Sequence, residues 1–82
     1  MHVTVISPER AVFNGEADAV VVPAFDGLVG ILPRHAAFLT LLGEGVLRVR
    51  HGSESSAFRV AGGFLQVTGG TVRVVADRVE DS

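Results

Sequence analysis

Apolar and polar residues alternate with a period of two along several short segments of the chain, and stretches rich in glycine and serine separate those segments. In the segment 45–51, Leu47 and Val49 alternate with Arg48 and Arg50. Successive side chains of a β-strand point to opposite sides, so this alternation predicts strands with one buried face rather than helices. No segment shows the periodicity of a helix of ten or more residues.

The same alternation predicts a hairpin followed by a meander. The segment 56–61 places Phe58 and Val60 inward, and the small polar stretch 51–55 is typical of a hairpin tip. The other predicted inward positions are Val3, Val5, Leu65, Val67, Val72 and Val74. On the opposite sides, we expect the arginines to form a solvated outer face that comprises Arg48, Arg50, Arg59 and Arg73. The sequence leaves open whether part of this face meets acidic residues of a partner.

The dipeptide Asn14-Gly15 stands between the short apolar segment 11–13 and the β-branched segment 17–22. Asn-Gly is the preferred pair of a two-residue hairpin with positive φ angles. The sequence therefore predicts a tight turn at this point.

Many short strands with one apolar face each are the signature of a sandwich or a barrel. We predict an all-β fold, a small β-sandwich of two antiparallel sheets without substantial helix. A chain of 82 residues has material for one domain, and no linker or repeat interrupts it, so this domain is expected to span residues 1–82.

Composition excludes several functions. The formal net charge is −2, which argues against binding to nucleic acid. All seven basic residues are arginines, so chemistry that needs a lysine amine is excluded, and the absence of cysteine excludes disulfides and thiolate metal sites. The longest apolar stretches, 19–25 and 36–42, are far shorter than the roughly 20 residues that cross a bilayer.

Candidate chemistry is sparse. The histidines His2, His35 and His51 have no second ligand at metal-site spacing, and the segment 53–55 next to His51 is typical of a solvated turn rather than of a nucleophile. We therefore expect no catalytic residue, no metal and no cofactor. Two other functions remain open. A ligand- or carbohydrate-binding sandwich would lack the Trp and Tyr on which sugars stack, and a metal-dependent β-fold enzyme would have to use scattered histidines.

The segment 26–42 carries the pattern Gly27-x-x-Gly30-x-x-Pro33-x-His35-Ala36. This pattern closely resembles a signature of the epsilon subunit of F-type ATP synthases. The later blocks 61–67 and 72–77, and the opening from Ser7-Pro8-Glu9 to Gly15, resemble the same family in order and spacing. The resemblance thus extends over nearly the whole chain.

The resemblance implies a non-catalytic subunit of the central stalk, in which a β-sandwich links the gamma subunit to the ring of c subunits. It would turn with them and help couple proton flow to ATP synthesis. It would be peripheral to the membrane, on the cytoplasmic face of the cell membrane. The loop 27–30 (Gly27, Leu28, Val29 and Gly30) would contact the c ring, and Arg34, His35 and Ala36 would contact gamma.

Three departures from the family pattern limit this expectation. Arg34 replaces a residue that is often small, and Ala37 replaces a frequent proline. Leu28 stands where many relatives have an acidic residue, so an apolar contact is expected there in place of an ion pair. After Asp77 the family's C-terminal helical hairpin is not found, so neither an inhibitory insertion nor a nucleotide site is expected.

Overall fold

The computed structural model describes residues 1–34 and 36–81, of Asp81 the backbone only, and these residues form eight strands and no helix. The strands in chain order are β1 (His2–Ile6), β2 (Ala11–Glu16), β3 (Ala19–Ala24), β4 (Gly27–Ile31), β5 (Phe38–Leu41), β6 (Glu44–His51), β7 (Glu54–Thr68) and β8 (Thr71–Asp81). The all-β prediction is confirmed.

Hydrogen bonds join the strands into one ladder in the order β2-β1-β8-β7-β6-β3-β4, and β5 pairs with β7 outside this path. The long strand β7 has two sets of neighbours. Its first half, residues 54–61, pairs with β6, and residues 64–67 of its second half pair with β5. Strand β8 likewise pairs with both halves of β7 and, through residues 71–75, with β1.

The ladder folds over on itself into two layers. Layer A contains β2, β1, the first half of β8, the second half of β7 and β5, whereas layer B contains the first half of β7, the end of β8, β6, β3 and β4. The inward residues of both layers form a single core cluster. Across the layers, the rings of Phe13 and Phe58 meet edge to face with centroids 6.1 Å apart. The β-sandwich prediction is therefore confirmed.

The passage of β7 between the layers occurs at Gly62 and Gly63, whose φ angles are 71° and 104°. Before this pair the buried side chains are even-numbered, as at Phe58 and Val60, and after it they are odd-numbered, beginning with Leu65. Residues with a Cβ rarely adopt such φ angles. The glycine pair thus reverses the inward face of the strand without interrupting its pairing to β8.

Every position that the alternation predicts to point inward is buried. The hairpin of β6 and β7 is also confirmed, with Gly52 and Ser53 in its turn. The arginines, however, do not share one face. Arg48 and Arg59 lie on the outer side of layer B, whereas Arg73 pairs with Gln66 on layer A.

Two details of the strand pairing differ from the prediction. Strands β1 and β8 are parallel, so layer A is a mixed sheet. No turn forms at Asn14-Gly15, because both residues lie within β2 and pair with Thr4 and Val3. The turn that joins β1 to β2 lies earlier, where the buried Ser7 hydroxyl donates a hydrogen bond to the Arg10 carbonyl (3.0 Å). The connection from β2 to β3, which was predicted at Asn14-Gly15, lies at Ala17 and Asp18.

Candidate interaction surfaces

The predicted contact segment 27–30 is a strand and not a loop. It forms most of β4, which pairs with β3 along the edge of layer B and is joined to it by a two-residue turn at Phe25 and Asp26. Gly27, directly after this turn, has a φ angle of 134°, which residues with a side chain rarely adopt. At Gly30 there is open space, since nothing lies within 4 Å of an added Cβ. The segment 27–30 is therefore part of the hydrogen-bonded edge strand of layer B.

Leu28 and Val29 point to opposite sides of β4. The Leu28 side chain is 72% exposed on the outer face, opposite Pro23. Val29 is half-buried and packs against the core cluster. Of the two apolar residues that the sequence singled out, only Leu28 is available for a partner.

The predicted gamma contacts fall in the connection from β4 to β5. Arg34 is exposed and has a φ angle of 73°, which is unusual for a residue other than glycine. Ala36 is exposed as well. His35 lies outside the described residues. This connection leads from the edge of layer B to layer A, so Arg34 and Ala36 lie in the segment that joins the two layers.

A further apolar surface was not singled out by sequence reasoning. Leu39 and Leu41 of β5 are 67% and 62% exposed, and Phe64, which pairs with Leu41, is 38% exposed. With Thr40 they line a shallow depression of about 440 Å³ on layer A. We call Leu39, Leu41 and Phe64 the β5 cluster. The turn residue Phe25, 65% exposed, adjoins it, since its amide donates a hydrogen bond to the Leu41 carbonyl (3.1 Å).

The β5 cluster continues across layer A through cross-strand neighbours. Phe64 pairs with the half-buried Val75, which pairs in turn with the half-buried Ile6. A signal for this surface exists in the sequence, because the run Leu39-Thr40-Leu41-Leu42 puts apolar residues at both parities. A strand with two sides cannot bury both sets against one core, so one of them must face outward.

Among the described residues there is no group of three metal-binding side chains close enough to hold an ion. The two carboxylates with perturbed pKa values serve the fold. A hydrogen bond with His2 (3.0 Å) lowers the pKa of Glu16, and a hydrogen bond from the Gly52 amide (2.6 Å) lowers the pKa of Asp18. No helix in the described part of the chain is long and apolar enough to cross a membrane.

Relatives carry the same sequence pattern. An ATP synthase epsilon chain of Leptospira borgpetersenii is 44% identical over 77 residues, which are 94% of this chain and 61% of the relative. One of Chloroflexus aggregans is 40% identical over 80 residues, 98% of this chain and 58% of the relative. The chain thus spans about three-fifths of the length of these relatives.

Solved structures share the fold. A chain in the cryo-EM structure of the Euglena gracilis mitochondrial ATP synthase, which comprises OSCP, F1 and the c-ring, superposes with a TM-score of 0.88 at 22% identity. The superposition covers 96% of this chain and 51% of that one. A chain in the central stalk and c-ring structure from Tetrahymena thermophila gives a TM-score of 0.82 at 22% identity over 99% of this chain and 66% of that one.

The family model described as the beta-sandwich domain of the ATP synthase Delta/Epsilon chain matches residues 1–82. The match includes the β4 edge and the β5 cluster, and the two-layer architecture is the one that this description names. The chain therefore belongs to the Delta/Epsilon chain beta-sandwich family of ATP synthase.

Proposed function

We propose that this chain is a non-catalytic subunit of the rotor of an F-type ATP synthase, where it links the gamma subunit to the c ring and helps couple proton flow to ATP synthesis. The observation that carries the proposal is the match of the family over residues 1–82. The two structural neighbours come from a structure of OSCP, F1 and the c-ring and from a structure of the central stalk and c-ring, which supports the choice of partners. In this position the chain is peripheral to the membrane, on its cytoplasmic face.

Two exposed apolar surfaces on different layers support simultaneous contact with two partners. Leu28 lies on the outer side of layer B, and the β5 cluster lies on layer A. Contiguous exposed apolar groups such as the β5 cluster mark contact sites more often than isolated surface residues do. We assign the β4 edge from Gly27 to Gly30 to the c ring.

We assign gamma to the connection with Arg34, His35 and Ala36 and extend that contact to the β5 cluster. The cluster follows this connection directly in the chain and offers the larger apolar area. An apolar centre surrounded by polar residues is the usual anatomy of a stable protein interface.

Mechanical coupling requires that the subunit does not deform between its contacts. Strands β7 and β8 extend through both layers in one register, so a force on either layer is borne by the same hydrogen-bonded pair. The single core cluster is shared by both layers, and close-packed interiors have low compressibility. The two surfaces are therefore held at a fixed separation.

Co-purification tests the proposal. A tagged chain expressed in its own cells should retain gamma and the c ring when membranes are solubilised gently. The double variant Leu39→Ser/Leu41→Ser should lose gamma by at least about tenfold, because it removes the two most exposed leucines of the β5 cluster, and loss of an anchor residue at the centre of an interface costs about 2 kcal/mol or more. Its stability should stay within about 1 kcal/mol, since both side chains are exposed.

Val21→Ser is the matched control, because Val21 is an exposed strand residue on layer B, away from the β5 cluster. It should retain gamma at the wild-type level. Failure of the tagged wild-type chain to retain either gamma or the c ring would refute the proposed function.

A further inference from the structure

The outer face of layer B carries an arginine pair that has no carboxylate partner. Arg48 and Arg50 lie two residues apart on β6, so their side chains leave the same face about 7 Å apart. Both are exposed, and among the side chains that the structure describes no carboxylate lies within salt-bridge distance of either guanidinium. The pair is therefore free to bind an external anion.

The neighbours of the pair are small or uncharged. Arg48 lies between Val21 and Ala57 on the adjacent strands, and Arg50 lies between Ala19 and Ser55. Because these side chains are short, the surface between the two guanidinium groups, which we call the floor of the site, is low. Another backbone can therefore approach the strands closely. Such a floor suits a protein segment that places its own side chains against the arginines.

The surrounding charges leave this part of the face basic. Arg59 lies on the same face, two residues along β7 from Ala57, and Glu80 lies opposite it on β8, whereas Glu44 and Arg78 lie farther along the sheet on either side of Ala61. Close to the pair, the one acidic group that interacts with Arg50 is Asp18, whose carboxylate already accepts the Gly52 amide. The remaining neighbour with a titratable side chain is His51, at the end of β6.

We propose that Arg48 and Arg50 form a docking site for an acidic protein segment with two carboxylates on one face. Glutamates or aspartates four residues apart on a helix lie roughly 6 Å apart, close to the spacing of the two arginines. Guanidinium groups bind carboxylates through paired, planar hydrogen bonds, which fixes the orientation of the segment as well as its charge. The contact adjoins the proposed c-ring surface, since Val21 pairs with Arg48 on one side and with Gly30 on the other, but it does not depend on the proposed function.

A membrane surface fits these observations less well. Recruitment to anionic lipid takes clusters of about four to eight basic residues, whereas the pair has Arg59 beside it with Glu80 opposite, and the whole chain has a net charge of −2. The spacing of the pair and its low floor also match discrete carboxylates better than a fluid layer of headgroups. Lipid is therefore one of the outcomes that the experiment must separate.

The absence of cysteine permits a direct test. Ala57→Cys places a unique thiol on the floor beside Arg48, where it can be labelled with a benzophenone maleimide and irradiated in native membranes that contain the assembled complex. We expect a photo-adduct with a protein segment that contains at least two carboxylates. Gln66→Cys, on layer A, is the positional control and should not capture that segment.

The adduct should also depend on the arginines. In the background Arg48→Gln/Arg50→Gln its yield should fall about three- to thirtyfold, the range for the loss of two exposed ion pairs, and about 0.5 M salt should lower it similarly. Arg73→Gln, which removes the same charge from layer A, should leave the yield unchanged.

The proposal would be overturned by an adduct with lipid, by an adduct with a segment that lacks carboxylates, or by the absence of any adduct. It would also be overturned if neither the double substitution nor the salt changed the adduct yield. If the adduct depends on the arginines but the chain does not retain gamma and the c ring, the proposed function is refuted and the docking site is supported.

Discussion

The Cα of Gly63 lies so close to the backbone of Val75 that an added Cβ would overlap the Val75 carbonyl oxygen. Gly63 lies on β7 and Val75 lies on β8. The direct partner of Gly63 in the strand pairing is Ala76, the residue that follows Val75. The contact occurs where both strands pass from one layer to the other. It fixes the geometry of the sandwich at this crossing.

We predict that Gly63→Ala destabilises the domain by more than about 3 kcal/mol. The substitution adds a clash with backbone atoms, which cannot rotate away, to a φ angle of 104° that alanine rarely adopts. Urea denaturation followed by far-ultraviolet circular dichroism measures the loss. Gly70→Ala, where nothing lies within 4 Å of the added Cβ, is the control and should change stability by less than about 1 kcal/mol. Equal losses in the two variants would contradict the close contact.

The same strand shows how far the sequence predicts the fold. Period-two alternation identified the inward residues on both sides of the glycine pair, because burial on one face is a local property of each short segment. It did not reveal that the two segments are one strand of 15 residues. The change from even to odd inward positions depends on backbone angles that glycine permits but does not require.

Turn chemistry was less informative where tertiary pairing competes with it. Asn14-Gly15 is a strong local hairpin signal, yet both residues pair with β1 within the extended strand β2, and the chain passes to β3 only at Ala17 and Asp18. The parallel partnership of β1 and β8 was equally invisible. It joins segments about 70 residues apart in the chain, and nothing in either segment specifies the direction of its neighbour.

Arg34 holds a backbone conformation that favours glycine, with a φ angle of 73°. We predict that Arg34→Gly raises the free energy of unfolding by about 0.5–1 kcal/mol. Relief of the left-handed conformation, worth about 1–2 kcal/mol, outweighs the extra entropy that glycine brings to the unfolded chain. Thermal unfolding measures the gain, and Arg34→Val should show the opposite change, because a β-branched residue tolerates this conformation least. If Arg34→Gly is less stable than wild type, strain at this position is not the dominant effect.

The Asp18 carboxylate holds the turn of the β6–β7 hairpin by accepting a hydrogen bond from the Gly52 amide. This bond, reinforced by the nearby charges of His51 and Arg50, lowers the pKa of Asp18 below its ordinary value of 3.8. A carboxyl group with a lowered pKa in the folded state stabilises the fold above its unfolded pKa and loses that effect as the pH falls through its folded pKa. We predict that Asp18→Asn lowers the melting temperature at pH 7 and that the difference from wild type shrinks below about pH 4.

Melting curves of wild type and variant between pH 2 and 8 provide the measurement for Asp18. Asp26→Asn removes one carboxylate from the turn of the β3–β4 hairpin and is the matched control. A difference between Asp18→Asn and wild type that stays constant down to pH 2 would show that the carboxylate charge is not responsible.

The contact surfaces could be predicted from the sequence only in part. The family pattern directed attention to the segment 27–30, and the structure separates its two apolar side chains into an exposed one and a core one. The β5 cluster was missed because an apolar run without alternation leaves open which of its residues face inward. Its exposure becomes evident only from the register of β5 against β7, in which Leu41 lies opposite Phe64.

The β4 edge provides a pair of adjacent residues that separates binding from folding. Leu28→Asp should leave the free energy of unfolding within about 0.5 kcal/mol of wild type, since the side chain is 72% exposed. Val29→Asp should cost about 1–3 kcal/mol, because it places a charge against the core cluster. Urea denaturation of the isolated chains distinguishes the two variants.

If the β4 edge contacts the c ring, Leu28→Asp should also reduce retention of the ring in gently solubilised complexes by about tenfold, while gamma remains bound through the other layer. Gly30→Ala refines this test, because nothing in the chain lies within 4 Å of the added Cβ and any loss of the ring must therefore come from the partner side. Full retention of the c ring by Leu28→Asp and Gly30→Ala alike would assign that contact to another surface.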